Sequence, residues 1–439
     1  MRSMFKLERS RQKALPSMLS DLQSGVKGIL NQDARFLFLT RFTRLFAYGA
    51  LSVVLVFYLT GIGLTESQVG MLLTLTLLGD TVVSLVLTTQ ADRIGRRRML
   101  IVGSILMAGA GIAFAFTTNF LFLLIAGTIG VVSPSGNEVG PFLSIEQAAL
   151  AHVISPTTRT MAFAWYTLTG SFATAIGSLC GGMIPSLVNS RGAAPIHGYH
   201  AVVIAYGVLG MILALFFAQL SSSTEVEPSD DRYSDLAVKR TLLGIGRSRE
   251  IVFKLSGLFA LDSFGGGFIV QSFAAYWFYL RFGVKPAALG AIFFGANIFA
   301  GVSALLASRL ASRIGLVRTM VFTHLPSNIL LIVIPLMPTL QLAIGVLLLR
   351  FSISQMDVPT RQSYTMAVVH PEERSAAAGI TGVARTIGAC IPPMFVGLMF
   401  STRGWINVPF FIAGTLKIVY DLLLYRQFVA IRAPEEEFR

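Results

Sequence analysis

Apolar runs of membrane-spanning length recur along this chain, near residues 36–60, 67–89, 99–117, 119–150, 160–187, 200–220, 251–280, 286–307, 318–337, 340–368, 375–400 and 406–425. A bilayer-crossing helix takes about 20 mostly apolar residues, because lipid offers the backbone no hydrogen-bond partners and the helix supplies its own. The spacing therefore predicts an all-α integral membrane protein with twelve transmembrane helices. Composition agrees: 54% of the 439 residues are hydrophobic and only 13% are charged, where soluble domains carry about 25% charge. An ordinary soluble protein is excluded. An even number of crossings places both chain ends on one side.

The formal net charge is +13, from 35 Lys+Arg against 22 Asp+Glu. Its placement says what it is for. The 90–98 and 308–318 loops, the two tails and the 221–250 stretch hold most of the base, whereas the opposite loops hold only Arg191, Arg281, Lys285 and Arg403. Short basic loops stay in the cytoplasm, so both termini are expected there, in a multi-pass protein of the plasma (cell inner) membrane. No soluble basic module exists to bind nucleic acid. The basic, polar N-terminus lacks an apolar run with a cleavage site, which argues against a removed signal peptide. An amphipathic surface helix is expected over Met18–Leu30. Cys180 and Cys390 both lie in apolar stretches, so neither a disulfide framework nor a multi-cysteine metal site is expected.

The expected organisation is a tail (1–35), a six-helix half (36–220), a polar linker (221–250), a second half (251–425) and a tail (426–439). Shifting the second half back by 220 lays Gly283 on Gly63, Gly290 on Gly70, Arg313-Ile314-Gly315 on Arg93-Ile94-Gly95, and Arg318 on Arg98. A shift of 215 lays Gln362 on Gln147, Pro371 on Pro156 and Arg374 on Arg159. Two parallel six-helix repeats around a midplane site form a transporter architecture.

After the second span the chain reads Asp92-Arg93-Ile94-Gly95-Arg96-Arg97-Arg98. This resembles the major facilitator superfamily, whose signature Gly-x-x-x-Asp-Arg-x-Gly-Arg-Arg occupies that loop; a degenerate copy stands at 312–318, and the resemblance covers roughly 36–425. Thr88 replaces the first glycine and Ser312 replaces the acid of the second copy. The resemblance implies a gate formed by Asp92, Arg93, Gly95, Arg96 and Arg97, with Arg313 in a weaker second latch. Asp92 at a helix end can accept charge-assisted hydrogen bonds, whereas a plain positive-inside anchor would not need it. In the fifth span, Gly177-Ser178-Leu179-Cys180-Gly181-Gly182 resembles the Gly-Pro-x-x-Gly-Gly motif of proton-coupled antiporters in the superfamily, with Ser178 in place of proline. That implies drug export against protons; close helix packing by small residues accounts for the same spacing.

Charged side chains within spans are functional candidates, because lipid charges about 3 kcal/mol for each one that finds no cavity or partner. Glu138, Asp357, Asp80 and Asp262 are the proton-coupling candidates. Glu146 corresponds to Arg361 under the repeat shift, which suggests an ion pair between the halves or a gate. Arg350 and Arg44 are candidates for contact with a substrate anion, and Arg41 for an interfacial anchor. A carboxylate in a low-dielectric cavity holds its proton more firmly and a nearby arginine reverses that, so such groups can couple protons to movement. Tyr48, Phe57, Tyr58, Tyr166, Tyr276, Trp277 and Tyr279 are available to stack on an organic solute or to pack. His197 and His200 have no third ligand-type neighbour, so no metal and no cofactor is expected.

The sequence is read as a monomeric secondary transporter of a small organic solute, working by alternating access in the lipid bilayer with proton-coupled export first. A facilitator or symporter of an organic anion is the alternative, and a transport-inactive membrane receptor or scaffold is the rival from another class. No nucleotide loop, metal cluster or nucleophile triad supports an enzyme.

Overall fold

A computed structural model describes residues 31–137, 140–154, 159–225, 245–370 and 373–431, apart from the side chains of Asp92, Arg159, Thr160 and Ser375. The expectations for Met18–Leu30, Glu138, Pro156, Pro371, the Asp92 side chain and most of the linker fall outside this description. The first half contains α1 (Gln32–Gly61), α2 (Glu66–Ile94), α3 (Arg96–Phe116), α4 (Phe120–Ile129), α5 (Phe142–Val153), α6 (Arg159–Asn189) and α7 (Pro195–Ala218). The second contains α8 (Arg249–Gly267), α9 (Gln271–Phe282), α10 (Pro286–Ile314), α11 (Leu316–Val333), α12 (Leu340–Ser354), α13 (Asp357–Val368), α14 (Arg374–Cys390), α15 (Pro392–Ser401) and α16 (Val408–Phe428).

Among the described residues, eleven helical stretches are long and apolar enough to cross a membrane. The expected crossing over 119–150 differs: its helix stops at Ile129 and resumes at Phe142. Pro134 and Pro141 remove backbone donors there, and Gly136 and Gly140 take positive φ values of 69° and 80°, which a side chain would disfavour. Broken backbone at membrane depth is tolerated only where protein satisfies it. Here the Tyr206 hydroxyl donates to the Val131 carbonyl, Ser272 donates through N and Oγ to the Pro134 carbonyl, and Asp80 accepts from the Gly140 N–H.

The repeat appears in the element bounds. Helices α2 and α10 begin at 66 and 286 and end at 94 and 314, both offsets being 220; α5 and α13 begin at 142 and 357 and end at 153 and 368, both offsets being 215. Packing between the halves repeats as well. A Cβ on Gly70 of α2 would stand 2.9 Å from the Gly397 Cα of α15, and one on Gly182 of α6 would stand 2.8 Å from the Gly290 Cα of α10. Such approaches need small residues on both helices. They join the halves at the end remote from the 92–98 loop, where Tyr276 Oη donates to Glu66 Oε1 at 3.1 Å and Ser67 Oγ meets Ser401 Oγ at 3.2 Å. At the basic end a cavity of about 400 Å³ opens beside Gln362, Ser363, Met366, Ala367 and Arg374.

Two carboxylates cap helix starts at that end. Glu225 accepts from the Arg96 and Arg97 N–H groups at 2.6 and 3.1 Å, and Glu373 accepts from those of Gly246, Arg247 and Ser248 at 2.8, 2.9 and 2.9 Å. The backbone donors, Gly246 foremost, pull the Glu373 carboxyl down to about 2. A depressed carboxyl contributes at pH values above its ordinary range and loses that contribution as pH falls through its folded value. Hydrogen-exchange protection of residues 246–248, corrected for intrinsic rate, is therefore expected to stay constant from about pH 7 to about pH 5 and to drop in Glu373→Gln.

Candidate functional site

Most of the buried charged residues that the structure describes within the spans gather in two clusters, one per half. In the first, Arg44 of α1 pairs with Glu146 of α5 through two 2.7 Å hydrogen bonds, both side chains being fully buried. Thr40 Oγ1 donates to the same carboxylate at 2.9 Å, and the Tyr166 hydroxyl of α6 donates to Glu146 Oε2. The Arg41 guanidinium lies 4.3 Å from the Tyr166 ring centroid, within the range of a cation–π contact. Arg41 is thus buried inside the first half and is not an interfacial anchor.

In the second half, Asp262 of α8 accepts from Lys417 of α16 at 2.6 Å and from Arg361 of α13 at 3.0 Å, with His324 Nε2 of α11 at 3.7 Å. Arg361 also lies 3.3 Å from Asp357, the first residue of α13. His324 Nδ1 and Asn328 Nδ2 reach the two oxygens of Asp421 at 2.8 and 2.9 Å.

The expected ion pair between Glu146 and Arg361 is corrected by this arrangement. Each residue is paired inside its own half, because its opposite charge stands on the neighbouring helix, Arg44 on α1 and Asp262 on α8. The two bridges nevertheless occupy equivalent places with their signs exchanged. Arg44 and Asp262 differ by 218, Glu146 and Arg361 by 215, close to the repeat offsets.

Arg350 of α12 and Arg385 of α14 belong to the second cluster and differ from its other bases. Both are half-buried, and neither forms an ion pair or a side-chain hydrogen bond with the described residues. Arg350 lies within electrostatic reach of Asp262 and Asp357, and Arg385 within reach of Arg361 and the same two acids. Among the described residues, four bases (Arg350, Arg361, Arg385, Lys417) thus face three carboxylates (Asp262, Asp357, Asp421), leaving positive charge over before His324 is considered. Lys417, Asp421, Arg385 and the His324 cluster were not among the sequence candidates. The rule that singled out Asp80, a charge inside an apolar run, finds the first three equally well.

Asp80 stands apart. It is 3% exposed, its Oδ2 accepts the Gly140 N–H at 3.0 Å, and its Oδ1 has no partner. In the gate sequence, Arg93 is exposed on the last turn of α2, and the chain turns at Gly95 (φ 118°). Arg96 and Arg97 donate to the Thr224 and Leu220 carbonyls at 3.4 and 3.0 Å. Arg313 is exposed on the last turn of α10, before Gly315. The glycines of the antiporter-like stretch all pack: a Cβ on Gly177 would strike the Phe46 carbonyl, one on Gly181 the Ala50 carbonyl, and one on Gly182 Pro286 and Gly290. Ser178, where the motif has proline, accepts from Gln271 Nε2 at 3.1 Å and Asn297 Nδ2 at 3.4 Å across the interface between halves. Gly388 likewise packs against Ala260, but Gly379 and Gly382 face open space and do not bring helices together.

Residues 37–393 match the Major Facilitator Superfamily, and the chain belongs to that family of membrane transporters. It is 30% identical over 428 residues to the uncharacterized membrane protein YJR124C of Saccharomyces cerevisiae, covering 92% of this chain and 95% of the relative. Its fold is similar to that of a bacterial homolog of the human lysosomal transporter Spinster in an inward-facing, occupied conformation, with TM-score 0.68 and 16% identity over 91% of this chain and 97% of the other. It is similar also to a D-xylose–proton symporter, with TM-score 0.67 and 14% identity over 89% and 96%. The fold is that of secondary transporters of small solutes.

Proposed function

We propose that this protein is a proton-coupled secondary transporter of a small organic anion, working by alternating access between its two halves. The observation that carries this is the pair Arg350 and Arg385, two mid-span guanidinium groups without an ion pair among the described residues, beside Arg361 and Lys417, which each hold a carboxylate. A charge at that depth needs a partner, and a substrate carboxylate, sulfonate or phosphate supplies one through geometry arginine suits. An anion that moves with a proton crosses with its charge offset, which spares the work of about 2.3 kcal/mol per charge per 100 mV of potential. Symport is therefore the coupling proposed. Drug export against protons takes second place, because the glycines that suggested it are accounted for by packing.

The basic end is proposed to face the cytoplasm, from the placement of Lys and Arg, with the 92–98 loop as its gate. Asp92→Asn is expected to abolish transport while the protein still reaches the membrane. The test of the whole reading is uptake into proteoliposomes of a panel of radiolabelled monocarboxylates, dicarboxylates, sulfonates and phosphate esters beside neutral sugars and organic cations, under an imposed pH gradient. Accumulation of an anionic class, collapsed by a protonophore, is expected. Uptake restricted to cations, or untouched by the gradient, would overturn it.

A further inference from the structure

We propose that Asp80 is the residue that takes up and releases the coupled proton, and that the break in the fourth span reads its charge. The proposal rests on the proton coupling proposed above and assigns that coupling a place in the first half, away from the cluster suited to the anion.

Among the acids that the structure describes inside the spans, Glu146, Asp262 and Asp357 each have an arginine or lysine at ion-pair distance, and Asp421 has His324 and Asn328. Asp80 has a single backbone donor and one bare oxygen, although it is almost fully enclosed. A structural carboxylate at this depth would be expected to use both oxygens. The surroundings are quiet as well. Helix α4, packed on α2 at Gly79, carries no titratable side chain. Tyr206 of α7 is within electrostatic reach of Asp80 and donates its hydroxyl to Val131. Arg44 of α1 and Glu146 of α5 are bound to each other, Tyr48 of α1 stacks on Tyr206 with ring centroids 6.3 Å apart, and Arg385 of α14 reaches Asp262, Asp357 and Arg361. Among the described residues, a proton on Oδ1 thus meets no nearby fixed charge that would hold it permanently on or off.

The partner of Asp80 makes its charge mechanically relevant. Gly140 stands just ahead of α5, whose N-terminus is the positive end of a helix dipole. An ionised Asp80 holds that end through the Gly140 N–H; a proton on Oδ1 removes the charge, and the hydrogen bond to Oδ2 becomes an ordinary neutral one, weaker by the usual margin of charge-assisted bonds. The same break is tied at Pro134 to Ser272 of α9 in the other half. Protonation therefore loosens a segment that touches both halves, which is what a coupling device must do.

The experiment uses the full-length protein in lipid nanodiscs, with Cys180→Ser and Cys390→Ser. Spin labels go at Gln219→Cys and Gln427→Cys, exposed positions at the basic ends of the two halves. The label-to-label distance distribution is read by pulsed electron paramagnetic resonance from about pH 5 to about pH 8. The parent is expected to shift between two populations across that range. Asp80→Asn is expected to lose the shift and stay in the population the parent shows at acid pH, and Asp80→Glu, which keeps the carboxyl, is expected to retain a shift with a moved midpoint. Should Asp80→Asn respond as the parent does, the assignment falls while proton coupling stands. Should the parent itself not respond, and its uptake ignore the pH gradient, the coupling falls and the assignment with it. Replacement of sodium by choline at fixed pH is expected to change nothing; a sodium-dependent shift absent from Asp80→Asn would make the site a metal-cation site and overturn the proposal. Collapse of Asp80→Asn to an aggregated product, with Asp80→Glu folded but without pH response, would equally show a structural role.

Discussion

Asp262→Ala is expected to be the most damaging single substitution in the second half. It removes the acceptor shared by Lys417, Arg361 and His324, and it leaves their charge in a protein interior with one carboxylate fewer. Breaking a buried pair from one side costs about 3–5 kcal/mol, mostly because the stranded charge keeps its desolvation penalty. Thermal unfolding of the detergent-solubilised variant, followed by intrinsic fluorescence, should show a large drop. Asp262→Leu combined with Lys417→Met should recover much of it, since removing both partners strands fewer charges; the double-mutant cycle measures that coupling. Wild-type stability in Asp262→Ala would mean that water, not Asp262, carries the charge of Lys417 and Arg361.

Arg350→Gln and Arg385→Gln are expected to act in the opposite way, keeping the fold and losing the substrate. Neither guanidinium holds a carboxylate in this structure, so its removal strands no partner. Loss of a buried, charge-assisted contact to a bound anion costs about 2–5 kcal/mol, which corresponds to about 30-fold or more in affinity. Concentration-dependent uptake of the anion accumulated by the parent should show that weakening, with unfolding temperatures near the parent's. Arg361→Gln supplies the contrast. It would weaken substrate handling only together with stability, because Asp262 and Asp357 both rely on Arg361. Unchanged apparent affinity in both Arg350→Gln and Arg385→Gln would remove the basis of the anion reading.

The exchanged signs of the two bridges bear on the proposed alternating access. Pseudo-symmetric halves that carried the same charges at equivalent positions would repel whenever those positions approached one another. With Arg44–Glu146 in one half and Asp262–Arg361 in the other, like positions bring opposite charges together. In the present state each bridge is closed on itself, and Gln271 instead links the halves near mid-span through Ser52 at 2.8 Å and Ser178 at 3.1 Å.

Much of this molecule is legible in its amino-acid sequence. The apolar runs located the crossings, the offsets of 220 and 215 reappear in the bounds of α2 with α10 and of α5 with α13, and the charges inside spans marked Asp80, Asp262, Glu146, Arg350 and Arg361. Pairing was not legible. Glu146 and Arg361 correspond in the repeat, but correspondence is not contact: equivalent residues in two halves face their own neighbours first. The break in the fourth span was signalled by Pro134, Gly136, Gly140 and Pro141, but not the way its freed groups are shared among Asp80, Tyr206 and Ser272. Ser178 looked like a lapse from a motif; in three dimensions it accepts hydrogen bonds from the opposite half.

The sequence by itself determined the solvent, the helices and the twofold plan, because in lipid each helix must satisfy its own backbone and that demand is written locally, in length and hydropathy. Only the tertiary structure decided which charges are matched and which have no partner among the described residues. A helix turns by roughly 100° per residue, so the partner of a buried charge depends on how each helix is rotated against its neighbours. That rotation is set by packing, such as Gly70 on Gly397 and Gly182 on Gly290, between residues far apart in the chain.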